Sequence, residues 1–173
     1  SSDLVEKIVE FKDANDAEKA VREINTGIYA FNNQSLFEGL KHLNNNNAQN
    51  EYYLTDLVEI LKKLGKKVVA IPCDDWQEVQ GINGNVELAH AAKYMQERIN
   101  TEWMKKGVTI YDPNTAYIGP NVTFGTDVII HPNTYLYGDT VVEDYAEILP
   151  GTWLEDTNVS KAETVGPFVR RKG

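Results

Sequence analysis

The chain has 173 residues, of which 42% are hydrophobic, so it is long enough and apolar enough to bury a core in one domain or two small ones. Its 26 acidic and 17 basic residues give a formal charge of −9, and this negative field disfavours nucleic acid and anionic membranes as partners. A single cysteine excludes an intrachain disulfide. No signal peptide or apolar run of roughly 20 residues is present, so we expect a cytoplasmic protein without a membrane span.

The first half of the chain alternates strand-like and helix-like patterns, which predicts an α/β layer. Strand patterns cover residues 5–11, 24–31 and 68–72, rich in Val, Ile, Tyr and Phe. The first of them begins almost at the start, as expected of a chain cut from a longer one. Helix patterns cover residues 13–23, where a loop is the alternative, then 34–43 and 54–64, the last with Gly65 as its stop signal.

Three further features complete the first half. Asn44–Asn47 predicts a surface loop whose side chains bond their own backbone. The apolar neighbours of Cys73 predict a buried thiol. Residues 86–106 carry apolar side chains on roughly one stripe and predict a long helix that ends at Gly107.

From Tyr117 onward the sequence repeats every six residues. The repeating apolar positions are Ile118, Phe124, Ile130, Leu136, Val142, Ile148 and Leu154. Four residues after each come Val122, Val128, Thr134, Thr140, Ala146, Thr152 and Asn158, which are mostly small or β-branched. This period fits neither a helix nor a hairpin, and it predicts a solenoid with three short faces per coil, in which the apolar positions point inward and the small residues lie at corners. The register slips after Leu154 and resumes at Val165.

Such a hexapeptide repeat is the signature of the left-handed parallel β-helix, a fold that commonly implies trimers and acyl transfer. Four stretches of the first half add a specific resemblance: IVEFKDA (8–14), EINTGIYAF (23–31), NNNAQNEYYLTD (45–56) and QGINGNVELAHA (80–91). Together with the repeat they resemble the bacterial bifunctional N-acetylglucosamine-1-phosphate uridylyltransferase/glucosamine-1-phosphate acetyltransferase family, in its central part.

The resemblance implies a domain organisation and a reaction. Residues 1–84 would be the C-terminal part of a Rossmann-like nucleotidyltransferase domain, 85–107 a linking helix, and 108–173 the first coils of a left-handed β-helix. The family transfers uridylyl from UTP to N-acetylglucosamine-1-phosphate and acetyl from acetyl-CoA to glucosamine-1-phosphate, and so makes UDP-N-acetylglucosamine for cell-wall synthesis. The resemblance also implies UTP and sugar phosphates as ligands, Mg²⁺ and acetyl-CoA as cofactors, and a homotrimer.

The resemblance also implies a set of site residues. Glu10 would accept hydrogen bonds from sugar hydroxyls, and Asn25 would contact the sugar and ribose. Glu51, Tyr53 and Thr55 would form a rim against the N-acetylglucosamine, with Tyr53 rather than Tyr52 facing the sugar. Asn83 would bind the ligand and complete the Mg²⁺ site. Arg170 and Lys172 lie where the family binds the phosphate of the acetyl acceptor, and no catalytic residue is assigned.

Several positions depart from the family pattern. Phe11 replaces a usual histidine, Asn50 a usual glycine, and Lys172 an arginine, so the bidentate guanidinium contact is lost there. Asn50 is expected to keep the backbone bend of the glycine, because asparagine tolerates a positive φ. The β-helix segment up to Val165 looks about one coil shorter than is typical.

The chain as given lacks the glycine-rich UTP loop, the aspartate of the Mg²⁺ site and the coils that carry the acetyl-CoA pocket. We therefore expect the 173 residues alone to catalyse neither reaction. Two alternatives stay open. The chain could belong to another sugar-1-phosphate nucleotidyltransferase with a hexapeptide tail, such as a thymidylyl- or adenylyltransferase, or it could act as a β-helix trimerisation module.

Overall fold

The computed structural model describes residues 5–173, so the first four residues of the predicted 1–84 segment lie outside it. Contacts divide the chain into two compact units, one up to Gly81 and one from Ile82. Each unit is described by itself.

Between residues 5 and 81 the first unit contains three short α-helices: α1 (Asp16–Lys19), α2 (Asn33–Leu40) and α3 (Leu57–Lys63). One 3₁₀ turn, Leu54–Asp56, precedes α3, and a second, Trp76–Val79, follows it. Asparagine side chains start two of the helices, because Asn15 and Asn32 each accept a hydrogen bond from a backbone N–H of the first turn. The helices predicted in these three places are confirmed.

The core of this unit lies between α2 and α3. Leu57, Val58 and Leu61 of α3 are buried, as the i, i+3, i+4 spacing predicted. Gly39 of α2 lets the helices approach, since a Cβ there would lie 2.9 Å from a methyl carbon of Leu57. The predicted stop at Gly65 is also confirmed, with φ of 72° and the amide of Lys66 bonded to the Leu61 carbonyl.

The three strands predicted in this half, at 5–11, 24–31 and 68–72, are not formed within the described residues. A strand requires a neighbouring strand with which to share backbone hydrogen bonds. Residues 5–81 contain no strand that could provide such a partner. Their apolar side chains are correspondingly uncovered: Ile24 is 81% exposed and Ile71 88%.

The prediction of a buried Cys73 is wrong, because the residue is exposed. Its Sγ lies 3.2 Å from the backbone oxygen of Asp75. The buried position was inferred from the apolar strand 68–72, and without that strand the thiol has no sheet to cover it.

The second unit opens with the long helix α4 (Asn85–Lys105), and the predicted stop signal Gly107 follows its C-cap with φ of 99°. Asn100 is fully buried on this helix, and its amide nitrogen donates to the carbonyls of Pro113 and Ala116, both at 2.8 Å. Gln96, one turn earlier, donates to the same two carbonyls. These bonds fix α4 to the first coil of the solenoid.

Eleven short parallel strands then wind into the predicted β-helix. They are β1 (Thr109–Ile110), β2 (Ala116–Ile118), β3 (Thr123–Phe124), β4 (Ile129–Ile130), β5 (Thr134–Tyr137), β6 (Val141–Val142), β7 (Glu147–Ile148), β8 (Trp153–Glu155), β9 (Asn158–Val159), β10 (Thr164–Val165) and β11 (Arg170–Lys172). Every third strand pairs in parallel, giving the sheets β1-β4-β7-β10, β2-β5-β8-β11 and β3-β6-β9. The fold prediction of a long helix followed by a left-handed β-helix of about four turns is confirmed.

The repeat places its residues as predicted. Ile118, Leu136 and Leu154 stack in register at intervals of eighteen residues, and Leu136 and Leu154 are fully buried. The small residues also point inward. Two of the buried threonines are tolerated because a backbone carbonyl three residues earlier accepts the hydroxyl proton: Thr134 donates to His131 O at 2.7 Å and Thr140 to Tyr137 O at 2.6 Å.

The register slip after Leu154 is the loss of one residue from a corner. Val159, five residues on, takes the next inward position and is fully buried, and Val165 resumes the period of six. Asn158, predicted at a small corner position, is consequently exposed on β9. Within the described residues, no helix is both long and apolar enough to cross a membrane.

Candidate functional site

Two distant segments of the first unit meet at the residues predicted to bind a sugar. Thr55 Oγ1 donates a hydrogen bond to Glu10 Oε1 at 3.3 Å across 45 positions of sequence. Thr55 is 8% exposed and lies in the 3₁₀ turn that leads into α3, whereas Glu10 is half-buried just before a turn. The buried hydroxyl therefore fixes one oxygen of the carboxylate and leaves the other for a ligand.

The adjacent tyrosines point in different directions. Tyr52 is 68% exposed, and Tyr53 is half-buried with its hydroxyl hydrogen-bonded to other residues of the unit. Gln49 Nε2 donates to the Tyr53 oxygen at 2.8 Å, and Tyr53 donates to Asp13 Oδ2 at 3.4 Å. The ring of Tyr53, rather than its hydroxyl, is thus the part left to contact a ligand.

The loop before Tyr53 is held by its own asparagines, as predicted. Asn44 Oδ1 accepts from the amide of Asn46, and Asn47 Oδ1 accepts from the amides of Gln49 and Glu51. The carboxylate of Glu51 is exposed, so its side chain stands at the outer edge of the cluster.

Asn50 has φ of 54°, which confirms that it adopts the left-handed conformation expected of the family's glycine. The loop therefore keeps its bend despite the changed residue.

Asn25 lies in a second turn of the same unit. Its Oδ1 accepts from the backbone amide of Gly27 at 3.1 Å, which is the local Asx turn of an asparagine before glycine. The hydroxyl of Tyr29 is buried and makes no hydrogen bond of ordinary geometry. Burial raises the pKa of Tyr29, the charge of Glu10 raises it further, and the nearby Asn25 amide lowers it. Glu10 and Asn25 therefore both lie close enough to Tyr29 to affect its hydroxyl, and no sequence motif had singled out Tyr29.

The electrostatic field at Asp56, next to Thr55 in sequence, is negative. Burial raises the pKa of Asp56, and the charges of Glu59, Asp13 and Glu10 raise it further. Such a field favours ligand groups that donate hydrogen bonds, as sugar hydroxyls do, and opposes phosphate. This part of the unit is therefore suited to the sugar moiety of a ligand.

The raised pKa of Asp56 leads to a pH-dependent prediction. A carboxyl that is harder to ionise in the folded protein destabilises the fold while it is ionised. This cost is lost as the pH falls through the raised pKa of the folded protein toward 3.8, the ordinary pKa of aspartate. Asp56 makes no capping hydrogen bond to α3 that asparagine would lose. We expect Asp56→Asn to stabilise the unit by roughly 0.5 kcal/mol at neutral pH.

The gain from Asp56→Asn should shrink toward zero in acid. Amide hydrogen exchange of Leu57 and Leu61, measured from pH 4 to pH 8 in the parent chain and in Asp56→Asn, would measure this pH dependence. A stability difference between the two proteins that does not vary with pH would contradict the assignment.

Asn83 belongs to the second unit and lies in the exposed segment just before α4. Mg²⁺ is held in proteins by one or two carboxylates together with waters and substrate phosphates. Asn83 offers one amide oxygen, and the described residues contain no group of three His, Cys, Asp or Glu side chains that could hold a metal ion. Within the described residues Asn83 could therefore supply one ligand oxygen, and the other Mg²⁺ ligands would have to come from further groups and from the substrate phosphates.

Arg170 and Lys172 both lie on β11, where Arg171 separates them, and both are exposed. The guanidinium of Arg170 stands over the ring of Trp153 at 5.2 Å, and Lys172 Nζ forms an ion pair with Glu155 at 3.0 Å. Between them, Arg171 pairs in register with Leu154 and bonds Glu163 at 2.7 Å. The charge of Lys172 is thus partly neutralised by Glu155, and Arg170 is the stronger candidate to bind an anionic ligand.

Comparisons with known proteins were made for the whole chain. No protein-family model matches the chain. Among curated proteins it is 44% identical over 162 residues to the bifunctional protein GlmU of Halalkalibacterium halodurans. It is 47% identical over 161 residues to GlmU of Geobacillus sp. and 48% identical over 165 residues to GlmU of Streptococcus agalactiae.

This chain is a relative of the bifunctional GlmU proteins. The matches cover 94%, 93% and 95% of the chain, but only 36%, 35% and 36% of those proteins. The chain therefore spans about a third of the length of the curated GlmU proteins that it matches.

Proposed function

We propose that this chain carries the sugar-binding part of a uridylyltransferase and the first coils of an acetyltransferase β-helix, both of an enzyme that makes UDP-N-acetylglucosamine. The observation that carries the proposal is the hydrogen bond between Thr55 and Glu10. It joins two motifs that lie far apart in sequence and that the resemblance had both assigned to the sugar site. The similarity to GlmU proteins over nearly the whole chain supports it.

The chemistry of the cluster is that of a sugar subsite. The free carboxylate oxygen of Glu10 can accept a hydroxyl proton, and the Tyr53 ring offers an apolar surface to a sugar face or N-acetyl group. The surrounding acidic side chains oppose phosphate, so the groups that hold UTP have to come from elsewhere. In uridylyl transfer the phosphate of the sugar attacks the α-phosphorus of UTP and pyrophosphate leaves, and the role of these residues is to hold the sugar in position.

The remaining parts of the proposal follow from the resemblance. Mg²⁺ and acetyl-CoA are cofactors expected of the full-length enzyme, and cytoplasmic location and a homotrimer through the β-helix remain predictions. The 173-residue chain alone is expected to catalyse neither reaction, because the residues that the family uses for UTP phosphates and for acetyl transfer are not among them.

Calorimetric titration with UDP-N-acetylglucosamine in the presence of Mg²⁺ tests the proposal. We expect binding that weakens about tenfold or more in Glu10→Ala, because hydrogen bonds to a charged acceptor are lost. Asn83→Ala is expected to weaken binding as well. Glu23→Ala, which removes an exposed carboxylate of the same unit, serves as the control and should bind like the parent chain.

Two outcomes would count against the proposal. Binding unchanged by both Glu10→Ala and Asn83→Ala would reject the site. Equal affinity for thymidine diphosphate glucose or adenosine diphosphate glucose would favour another sugar nucleotidyltransferase, since neither ligand carries the N-acetyl group that Tyr53 is proposed to contact.

A further inference from the structure

Asp13 connects the two segments that form the sugar subsite. Its backbone amide donates to the carbonyl of Glu10 at 2.9 Å and closes the turn in which both residues lie. Its side chain reaches the other segment, because Oδ1 accepts from the amide of Ala48 at 2.8 Å and Oδ2 accepts from the hydroxyl of Tyr53 at 3.4 Å. One carboxylate therefore bonds two points of a loop that lies 35 to 40 positions further along the chain.

The bonds around Asp13 form a closed ring. From Glu10 the ring passes through the turn to Asp13, across to Tyr53, and along the backbone to Thr55, whose hydroxyl returns to the Glu10 carboxylate. A neighbouring contact strengthens the crossing, since Lys12 Nζ bonds Gln49 Oε1 while Gln49 Nε2 donates to Tyr53. Each member of the ring restrains the next, so the position of Glu10 depends on the loop.

We propose that Asp13 is a positioning residue of the sugar subsite, which holds the loop 48–53 and the Tyr53 ring against the turn that carries Glu10. The inference rests on the proposed function for its ligand, but its geometry stands apart from any ligand. Asp13 acts through Tyr53 and Ala48, with both of its oxygens committed to the protein. Loss of this carboxylate should therefore loosen the loop and misplace the ring before it alters the fold of α2 and α3.

Asparagine and alanine at position 13 separate the two bonds. Asparagine keeps one carbonyl oxygen, which can accept a hydrogen bond from the Ala48 amide or from the Tyr53 hydroxyl but not from both. Alanine can accept neither bond. We expect affinity for UDP-N-acetylglucosamine to fall about tenfold in Asp13→Asn and further in Asp13→Ala, measured well below the unfolding temperature. Asp16→Asn, an exposed carboxylate three residues later, is the matched control and should bind like the parent.

A second readout needs no ligand. The negative charge and hydrogen bond of Asp13 both raise the pKa of Tyr53, after the larger effect of burial. Tyrosine ionisation followed by carbon NMR, with the Tyr53 signal identified by its loss in Tyr53→Phe, should show a lower pKa of Tyr53 in Asp13→Asn. Asp16→Asn removes the same charge without the contact and should leave the pKa of Tyr53 nearly unchanged. Amide exchange of Ala48 should accelerate in Asp13→Ala.

The outcomes separate the inference from the proposed function. If the parent chain does not bind the nucleotide sugar, the proposed function fails, and the pKa of Tyr53 and the exchange of Ala48 still decide whether Asp13 holds the loop. A purely structural role would lower the unfolding temperature of Asp13→Asn and leave the affinity of the folded protein unchanged. That result, or an unaltered pKa of Tyr53, would overturn the inference.

Discussion

Replacing Ile130 by alanine is expected to destabilise the β-helix by about 4 kcal/mol. Ile130 is fully buried and stacks in register between Ile110 and Ile148. Deleting its outer carbons removes apolar burial and leaves a cavity, because the rigid coils above and below cannot close on it. Urea denaturation followed by the fluorescence of Trp103 and Trp153 would measure the loss.

Ile129 provides the matched control for this substitution. It is the same residue type, lies next to Ile130 on β4, and faces outward, where it is only half-buried. Ile129→Ala is expected to cost about 1 kcal/mol. Equal losses for the two substitutions would contradict the assignment of the repeat's apolar positions to the interior.

Replacing Gly125 by alanine is expected to destabilise the β-helix by about 3 kcal/mol. A Cβ at this position would lie 2.5 Å from the backbone nitrogen of Asp144 in the next coil. Backbone cannot rotate away as a side chain can, so the coils would have to separate, and the bond from the Gly125 amide to the Val142 carbonyl at 2.8 Å would stretch. The same urea titration would detect the loss.

Gly119 lies six residues earlier, at the equivalent place in the repeat. A Cβ there would meet its nearest neighbour, the carbonyl oxygen of Leu136, at 3.4 Å, which is ordinary contact. Gly119→Ala is expected to change stability by no more than about 0.5 kcal/mol, and the loss of backbone freedom in the unfolded chain acts in its favour. If Gly125→Ala were as mild as Gly119→Ala, the coils would not be packed as closely as described.

The two halves of the chain differ in how much could be predicted from sequence. A repeat of six residues fixes which side chains face inward, because each coil repeats the same local geometry and contacts only its neighbours. Leu136 and Leu154 could therefore be assigned correctly from spacing alone. The first half has no such repeat, and its strand patterns at 24–31 and 68–72 depended on partners that the sequence did not specify.

The candidate site was predicted in part. Glu10, Tyr53 and Thr55 were singled out by motif, and the structure brings them into one cluster, although their binding role stays a proposal. Asp13 was interpreted as part of a helix start, because aspartate is common there and its long-range partners have no sequence signal. Asn83, Arg170 and Lys172 belong to the second unit, and their binding roles stay predictions.

The sequence by itself determined the β-helix, the long helix before it and the relationship to GlmU, since all three depend on local periodicity or on motifs read in order. Only the tertiary structure decided that Asp13 binds Ala48 and Tyr53, that Cys73 is exposed, and that the slip after Leu154 removes one corner residue. These features depend on contacts between residues far apart in the chain or on the exact path of a turn. Neither is encoded in the pattern of any single segment.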